Sequence, residues 1–263
     1  MQRDFPLGTV NQCQPVEFAS AHPRNAESGL LMPRTFSCSN KGPRSENQDS
    51  FCVESVEGRF ILAVADGVGG NKGGEVASRY TIATLLEGVH AGRSLLDTVD
   101  AAHSGLLNKA DQSPELDGMA TTLTAVICDS TLISGVHCGD SRAYVLRGNG
   151  LKQLTEDHTE VARLYAEGKL TKEEALHYPR KNVLSSAVGT HRELIKQSFT
   201  FNIERGDRLL LMTDGVYEAF SKREIQARSA EEGDFDNFCR RLMLELEERG
   251  ATDNFTLVGI EFD

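Results

Sequence analysis

Four aspartates, Asp49, Asp66, Asp214 and Asp253, each adjoin an apolar run and each stand beside a Gly, Asn or Gln. A single Asp-Gly at a strand end is usually a turn former, because the short carboxylate hydrogen-bonds the local backbone. Four of them are harder to explain that way, since a β-sandwich gathers strand ends from distant sequence at one edge. Carboxylate, carbonyl and water oxygens are the ligands that hard divalent cations such as magnesium or manganese prefer. The stretch I-L-A-V-A-D-G-V-G-G-N-K-G-G-E, residues 61–75, carries the theme furthest. It runs from an apolar strand through Asp66 into backbone with no side chains, where an ion or phosphate can approach the main chain.

Other phosphate and hydrolase chemistries fail on spacing. Gly69 and Gly74 are followed by Glu75, not Lys, so no Walker loop is present; Lys72 occupies the last glycine position of a dinucleotide fingerprint begun at Gly67 and Gly69. No G-x-S-x-G marks a hydrolase nucleophile. The seven His include no H-x-x-x-H pair and the six Cys no C-x-x-C, against a zinc site of either kind. Metal-assisted chemistry remains.

The elements that must position these acids follow from periodicity. Strands are expected at residues 35–39, 49–56 and 59–65, the last two joined as a hairpin by the turn at Glu57-Gly58. A helix opens at Gly73, with Val76, Tyr80, Ala83 and Val89 in a loose helical repeat; a second covers 95–110 with Leu95, Val99, Ala102 and Leu106 on one face. Residues 121–128, 131–138 and 141–147 read as the closely spaced strands of an antiparallel meander. Short helical pieces at 159–168 and 171–177 lie in an insertion, about 155–190, that interrupts the β-rich core. Strands at 195–203 and 208–213, an amphipathic helix at 234–249 and a strand at 255–262 complete the chain. The expected fold is α+β: a four-layer α/β/β/α sandwich of two central antiparallel sheets flanked by helices. Residues 1–34, rich in Pro, Asn, Gln and Gly, read as a flexible extension, and 35–263 as one domain.

With 39 acids against 28 Lys and Arg, the net charge of −11 argues against nucleic acid or an anionic membrane as partner. No run reaches the roughly 20 apolar residues of a membrane helix, and the N-terminus lacks a secretory pattern. The scattered cysteines point to a reducing, cytoplasmic setting.

The motifs R-S-E-N-Q-D, V-A-D-G-V-G-G, G-M-A-T-T, G-D-S-R, T-D-G and T-D-N occur in the order found in the metal-dependent protein phosphatases of type 2C, which the chain resembles from about residue 35 to 262. The compact size and the D-G-V-G-G form are similar to bacterial members. The resemblance implies hydrolysis of phosphoserine and phosphothreonine on proteins by metal-activated water, without a phosphoenzyme, at two Mn2+ or Mg2+ ions. Asp66 then matches the carboxylate bridging both ions, Gly67 a ligand through its carbonyl, Asp49 the acid holding metal-bound water, and Asp214 and Asp253 the remaining direct ligands. Arg44 resembles the arginine that grips the substrate phosphate, a task for which its planar fork suits two oxygens. Asp117 resembles a ligand of a weaker third ion shared with Asp214, although Ala120 stands where the family pattern has Gly. Asp140 and His158 also match family positions; their plain reading is structural.

One departure matters. Where other members carry a His proposed to protonate the leaving group, this chain has Val68, so the proton donor is unassigned. The resemblance further implies a monomer, phosphorylated protein substrates, an opposing Ser/Thr kinase, and a flap at about 155–190 that modulates substrate choice. Two other readings stand beside it: an inactive relative serving as a binding module, and a phosphoesterase acting on small molecules.

Overall fold

The computed structural model describes residues 19–21, 33–68 and 73–262. In chain order the strands are β1 (Ala19–Ala21), β2 (Arg34–Asn40), β3 (Asp49–Val56), β4 (Arg59–Val68), β5 (Ala120–Thr121), β6 (Leu123–Cys128), β7 (Leu132–Cys138), β8 (Arg142–Arg147), β9 (Gly150–Gln153), β10 (Gln197–Asn202), β11 (Arg208–Met212) and β12 (Phe255–Glu261). The helices are α1 (Gly73–His90), α2 (Leu95–Gln112), α3 (Glu160–Ala166), α4 (Lys172–Leu176), α5 (Asp214–Tyr217), α6 (Lys222–Glu231) and α7 (Phe235–Arg249). Of the 1–34 extension, Ala19–Ala21 pairs antiparallel with β2; residues 1–18 and 22–32 lie outside the described residues, as does Cys13.

Two six-stranded sheets stack face to face, ordered β1-β2-β12-β11-β8-β9 and β10-β7-β6-β4-β3, with β5 added to β4 in the second. Alternation along the strands divides their side chains between two cores. On β11, Leu209 and Leu211 face the inter-sheet core with Val258 and Ile260, while Leu210 and Met212 meet Phe235, Phe238 and Leu242 of α7. On β4, Leu62 and Val64 join the same inter-sheet core, while Ile61, Ala63 and Ala65 meet Leu85, Val99 and Leu106 of α1 and α2. Three apolar cores between four layers are the α/β/β/α sandwich expected from the strand and helix pattern.

Two local expectations are corrected. The residues of α1 against the sheet are Ala77, Ser78, Thr81, Ile82 and Leu85, not the Val76–Tyr80–Ala83–Val89 repeat, which is only partly buried. Small side chains let this helix lie close to β4, and apolar periodicity alone does not register them. Nor do the strands at 121–147 form one meander: β6 and β7 pair, but β8 crosses to the other sheet and pairs with β11 and β9. The crossing is made at Gly139, φ +110°, where a side chain would strike Thr122. Strand β9 follows the Gly148–Gly150 turn without a clear sequence signal. All five described cysteines are buried.

Candidate metal centre

The hairpin of β3 and β4 sets Asp49 directly opposite Asp66. Both acids therefore stand at one end of the second sheet, on neighbouring strands whose carboxylates lie within reach of each other. From the facing sheet, β11 ends at Met212 and delivers Thr213 and Asp214, the latter opening α5; β12 begins at Phe255, just after Asp253. The sandwich thus brings Asp49, Asp66, Asp214 and Asp253 to one edge.

Asp49 is 7% exposed and joins the sheets. Its Oδ2 accepts from Thr213 Oγ1 at 2.9 Å and from Thr256 Oγ1 at 2.7 Å, while its Oδ1 is buried without a hydrogen-bond partner. Asp66 is fixed through its backbone: its N–H donates to Thr122 Oγ1 at 2.9 Å and its carbonyl accepts from Thr121 Oγ1 and the Thr122 amide, both at 2.8 Å. Gly67 packs where a side chain would collide with the Gly74 carbonyl and with the Gln48 carbonyl at 2.7 Å, so only glycine fits there. Asp253 accepts from its neighbour's amide, Asn254 N–H, at 2.8 Å and from Arg44 Nη2 at 2.6 Å.

The acids are electrostatically unfinished. Burial, then the Coulomb field of Asp214 and Asp253, pushes Asp49 up to about 7 against the pull of its two threonines. Burial and the charges of Asp49, Asp214 and Asp140 hold Asp66 well above the usual carboxylate range, and burial with Asp253 and Glu218 raises Asp214 to about 6. Buried carboxylates that oppose one another's ionisation are the signature of a site completed by cations.

A cleft of about 1470 Å³ opens at this edge. Asp66, Gly67, Asp214 and Asp253 line it together with Arg44, Gln48, Leu184 and Arg192. Val68, 40% exposed, also lines it, so the position without a histidine does face the cleft. Asp117 caps the 3-10 turn Pro114–Leu116 and is exposed; Gly118 beside it lines the cleft but Asp117 does not, which leaves it at the rim.

Sequence reasoning gave Asp140 a structural role. The structure sets it in the cleft wall, 8% exposed, where burial and then Asp214 push its carboxyl to about 7. The cation that counters this, Arg142, is occupied by Asp157 at 2.6–3.2 Å and stacks 3.7 Å over the Tyr217 ring. The G-D-S-R motif was the available signal. Thr213, Thr256 and Asn254 were missed because hydroxyls and amides on strand ends are common.

Among the described residues, no three His, Cys, Asp or Glu side chains are already drawn into a ready-made ligating cluster. The fit to divalent ions rests on the donor set, all oxygen, and on the partnerless Oδ1 of Asp49, a buried acceptor that no protein group satisfies.

Residues 39–257 match the family model described as Protein phosphatase 2C. The chain belongs to the protein phosphatase 2C family. It is 36% identical over 222 residues to the serine/threonine protein phosphatase PstP of Mycobacterium tuberculosis, a match covering 82% of this chain and 42% of that protein. The chain thus spans about two fifths of the length of that relative. It is also 30% identical to the serine/threonine phosphatase stp of Listeria monocytogenes, over 84% of this chain and 92% of the relative. Among solved structures, the catalytic domain of PstP in complex with two manganese ions superposes with a TM-score of 0.73 at 34% identity, covering 87% of this chain and 97% of that one. Stp1 from Staphylococcus aureus gives 0.80 at 25% identity, with 92% and 100% covered. The fold of this chain is thus shared with these two phosphatase structures.

Proposed function

We propose that this chain is a metal-dependent protein serine/threonine phosphatase, using Mn2+ or Mg2+ to hydrolyse phosphoserine and phosphothreonine. The observation that carries the reading is the edge of mutually raised carboxylates around Asp49, whose buried Oδ1 has no partner within the chain. Asp66, the Gly67 carbonyl, Asp214, Asp253 and Asp49 would hold two ions, and Asp117 at the rim, with Asp214, a weaker third. Bound divalent ions supply a water that ionises near neutral pH and offset charge on the phosphoryl oxygens.

The remaining steps belong to the chain's own residues. Thr213 and Thr256 fix one oxygen of Asp49 and so aim the other. Arg44, 56% exposed on the loop beside the cleft, exchanges Asp253 for the substrate phosphate and orients it for in-line attack. Val68 supplies no proton. Residues 182–187 and Thr190 of the 155–190 insertion line the cleft, and this insertion acts as the flap that modulates substrate choice. We further propose phosphorylated proteins as substrates, an opposing Ser/Thr kinase, a monomeric state and a cytoplasmic location; no described helix is long and apolar enough to cross a membrane.

The test is hydrolysis of nitrophenyl phosphate with manganese. Activity should be absent with a chelator and lost in Asp66→Ala and Asp214→Ala; retention in either variant refutes the assignment. Faster turnover of a phosphothreonine peptide than of nucleotides or sugar phosphates should follow, and the reverse order would make it a small-molecule phosphoesterase.

A further inference from the structure

The loop between β2 and β3, residues 41–48, carries Arg44 and has no regular secondary structure of its own. Such a segment holds a phosphate-gripping side chain in place only if something else fixes its backbone. The group that does so is the side chain of Asn254, one residue past Asp253. Its Oδ1 accepts from the Gln48 amide at 2.9 Å, and its Nδ2 donates to the Lys41 carbonyl at 2.8 Å and the Glu46 carbonyl at 2.9 Å. One buried carboxamide, 7% exposed, thus ties both ends of the loop and uses both of its amide protons. Asp or Ser at this position could not reproduce the pattern, since neither offers two N–H donors beside an acceptor.

The same residue touches the other parts of the site. Its backbone N–H donates to Asp253 Oδ1 at 2.8 Å. Its carbonyl lies where a side chain on Gly215 would be, so the Asp214-Gly215 turn packs directly on it. Gln48, held by Asn254 through its amide, accepts from the Gly67 amide at 3.1 Å through its carbonyl. Gly42, φ +56°, lies against the Asp253 carbonyl in the space a side chain would need, a second pin on the loop. Three sequence-distant motifs therefore meet at one peptide position.

We propose that Asn254 is a positioning residue of this enzyme: it acts through Arg44, by fixing the 41–48 loop that carries the phosphate grip beside the turn of Asp66-Gly67. The catalytic part of this inference rests on the phosphatase reading above; the loop-holding part does not.

The experiment compares Asn254→Ala and Asn254→Asp with the unaltered chain, each also in an Arg44→Ala background. Asn254→Ala should raise KM for a phosphopeptide and the inhibition constant of inorganic phosphate about tenfold, with kcat changed less than about threefold. In the Arg44→Ala background the same change should add less than about twofold, since two residues acting as one unit are not additive. Equal multiplication in both backgrounds would show that Asn254 does not act through Arg44 and would overturn the proposal. Amide hydrogen exchange of residues 41–48 gives a readout independent of turnover. The Gln48 amide should exchange at least about tenfold faster in Asn254→Ala, and in Asn254→Asp, which keeps the acceptor but loses both donors, the loop ends at 41 and 46 should loosen while Gln48 stays protected. Unchanged exchange in both variants overturns the proposal. If the unaltered chain hydrolyses no phosphoester, the phosphatase reading fails, and the exchange comparison still decides whether Asn254 holds the loop.

Discussion

Strands β11 and β12 run antiparallel and carry a buried charged cluster at each end. At one end Arg208 and Glu261 are direct cross-strand partners, joined Nε to Oε1 at 2.8 Å. The Arg208 guanidinium also donates to the carbonyls of Ser229, Glu232 and Gly233 at 2.8–2.9 Å and to Ser229 Oγ at 3.0 Å, while Arg34 Nη2 engages the other Glu261 oxygen. At the other end, about 20 Å away by strand rise, Asp214 and Asp253 face Asp49 and Asp66. There, among the described residues, the one cation paired with these four acids is Arg44, on Asp253. One end is electrostatically complete within the chain. The other is complete only with something added, and that contrast separates a structural cluster from a working one.

The strongest way to break the comparison is to remove one charge from each end. Asp66→Asn should lower manganese-dependent hydrolysis at least about a thousandfold. Because it relieves repulsion among buried acids, it should also raise the melting temperature of the metal-free protein by about 2–4 °C. Arg208→Met should do the opposite. It strands part of Glu261 and the carbonyls of residues 229–233, costing about 3 kcal/mol, while activity per folded molecule is retained. Thermal unfolding with and without chelator reads both. A metal-free Asp66→Asn protein that melts below the parent would erase the distinction between the two ends.

Much of this contrast was visible in the sequence. The four Asp stood out because each broke an apolar run at its end, and the alternating strands gave the layers of the sandwich. What stayed hidden was set by tertiary contact. Thr98 and Ser78 are buried helix residues whose polarity disguised their faces, although Ser78 simply donates to the Gln48 carbonyl at 2.6 Å. The exchange of sheets at Gly139 carries no periodic signal, since β7 and β8 are each ordinary strands. Asp140 read as structural because its neighbourhood is created by Asp214, 74 positions later in the sequence. Asn254 drew no role of its own for the same reason: its three side-chain partners lie more than 200 residues upstream.

A second prediction sharpens the contrast through pH. In the unfolded chain Asp49 titrates near 3.8, whereas in the metal-free fold it is raised to about 7 and Asp214 to about 6. Between those values the folded state holds protons that the unfolded state has released. Unfolding then releases protons, so stability is greatest near pH 4 and falls as pH rises toward 7. Metal-free protein should therefore melt several degrees lower at pH 7.5 than at pH 5, and saturating manganese should abolish or invert the difference by binding the ionised form. Flat melting temperatures across that range without metal would mean that the acids are not opposing one another. Asp66→Asn should flatten the profile, and Arg208→Met should shift it down without changing its shape.

The smallest expected effect tests how the open end is built. Thr256 Oγ1 donates to Asp49 Oδ2 at 2.7 Å and also contacts Ser39 Oγ at 2.8 Å, while its amide donates to Thr213 Oγ1 at 2.9 Å. Thr256→Val keeps the shape of the side chain and the strand but removes the hydroxyl, leaving Thr213 alone to hold Asp49. If the two threonines serve to aim the partnerless Oδ1, the variant should need about tenfold more manganese for half-maximal activity, yet recover near-parental turnover at saturating metal. Loss of one of the bonds that pull the Asp49 proton affinity down should also raise that affinity further, so the extra metal demand should be greater at pH 6 than at pH 8. A purely structural hydroxyl would instead lower the melting temperature and leave the manganese titration and its pH dependence unmoved. The corresponding change at the closed end, Ser229→Ala, removes one of the oxygen acceptors around Arg208 and should leave the manganese titration alone.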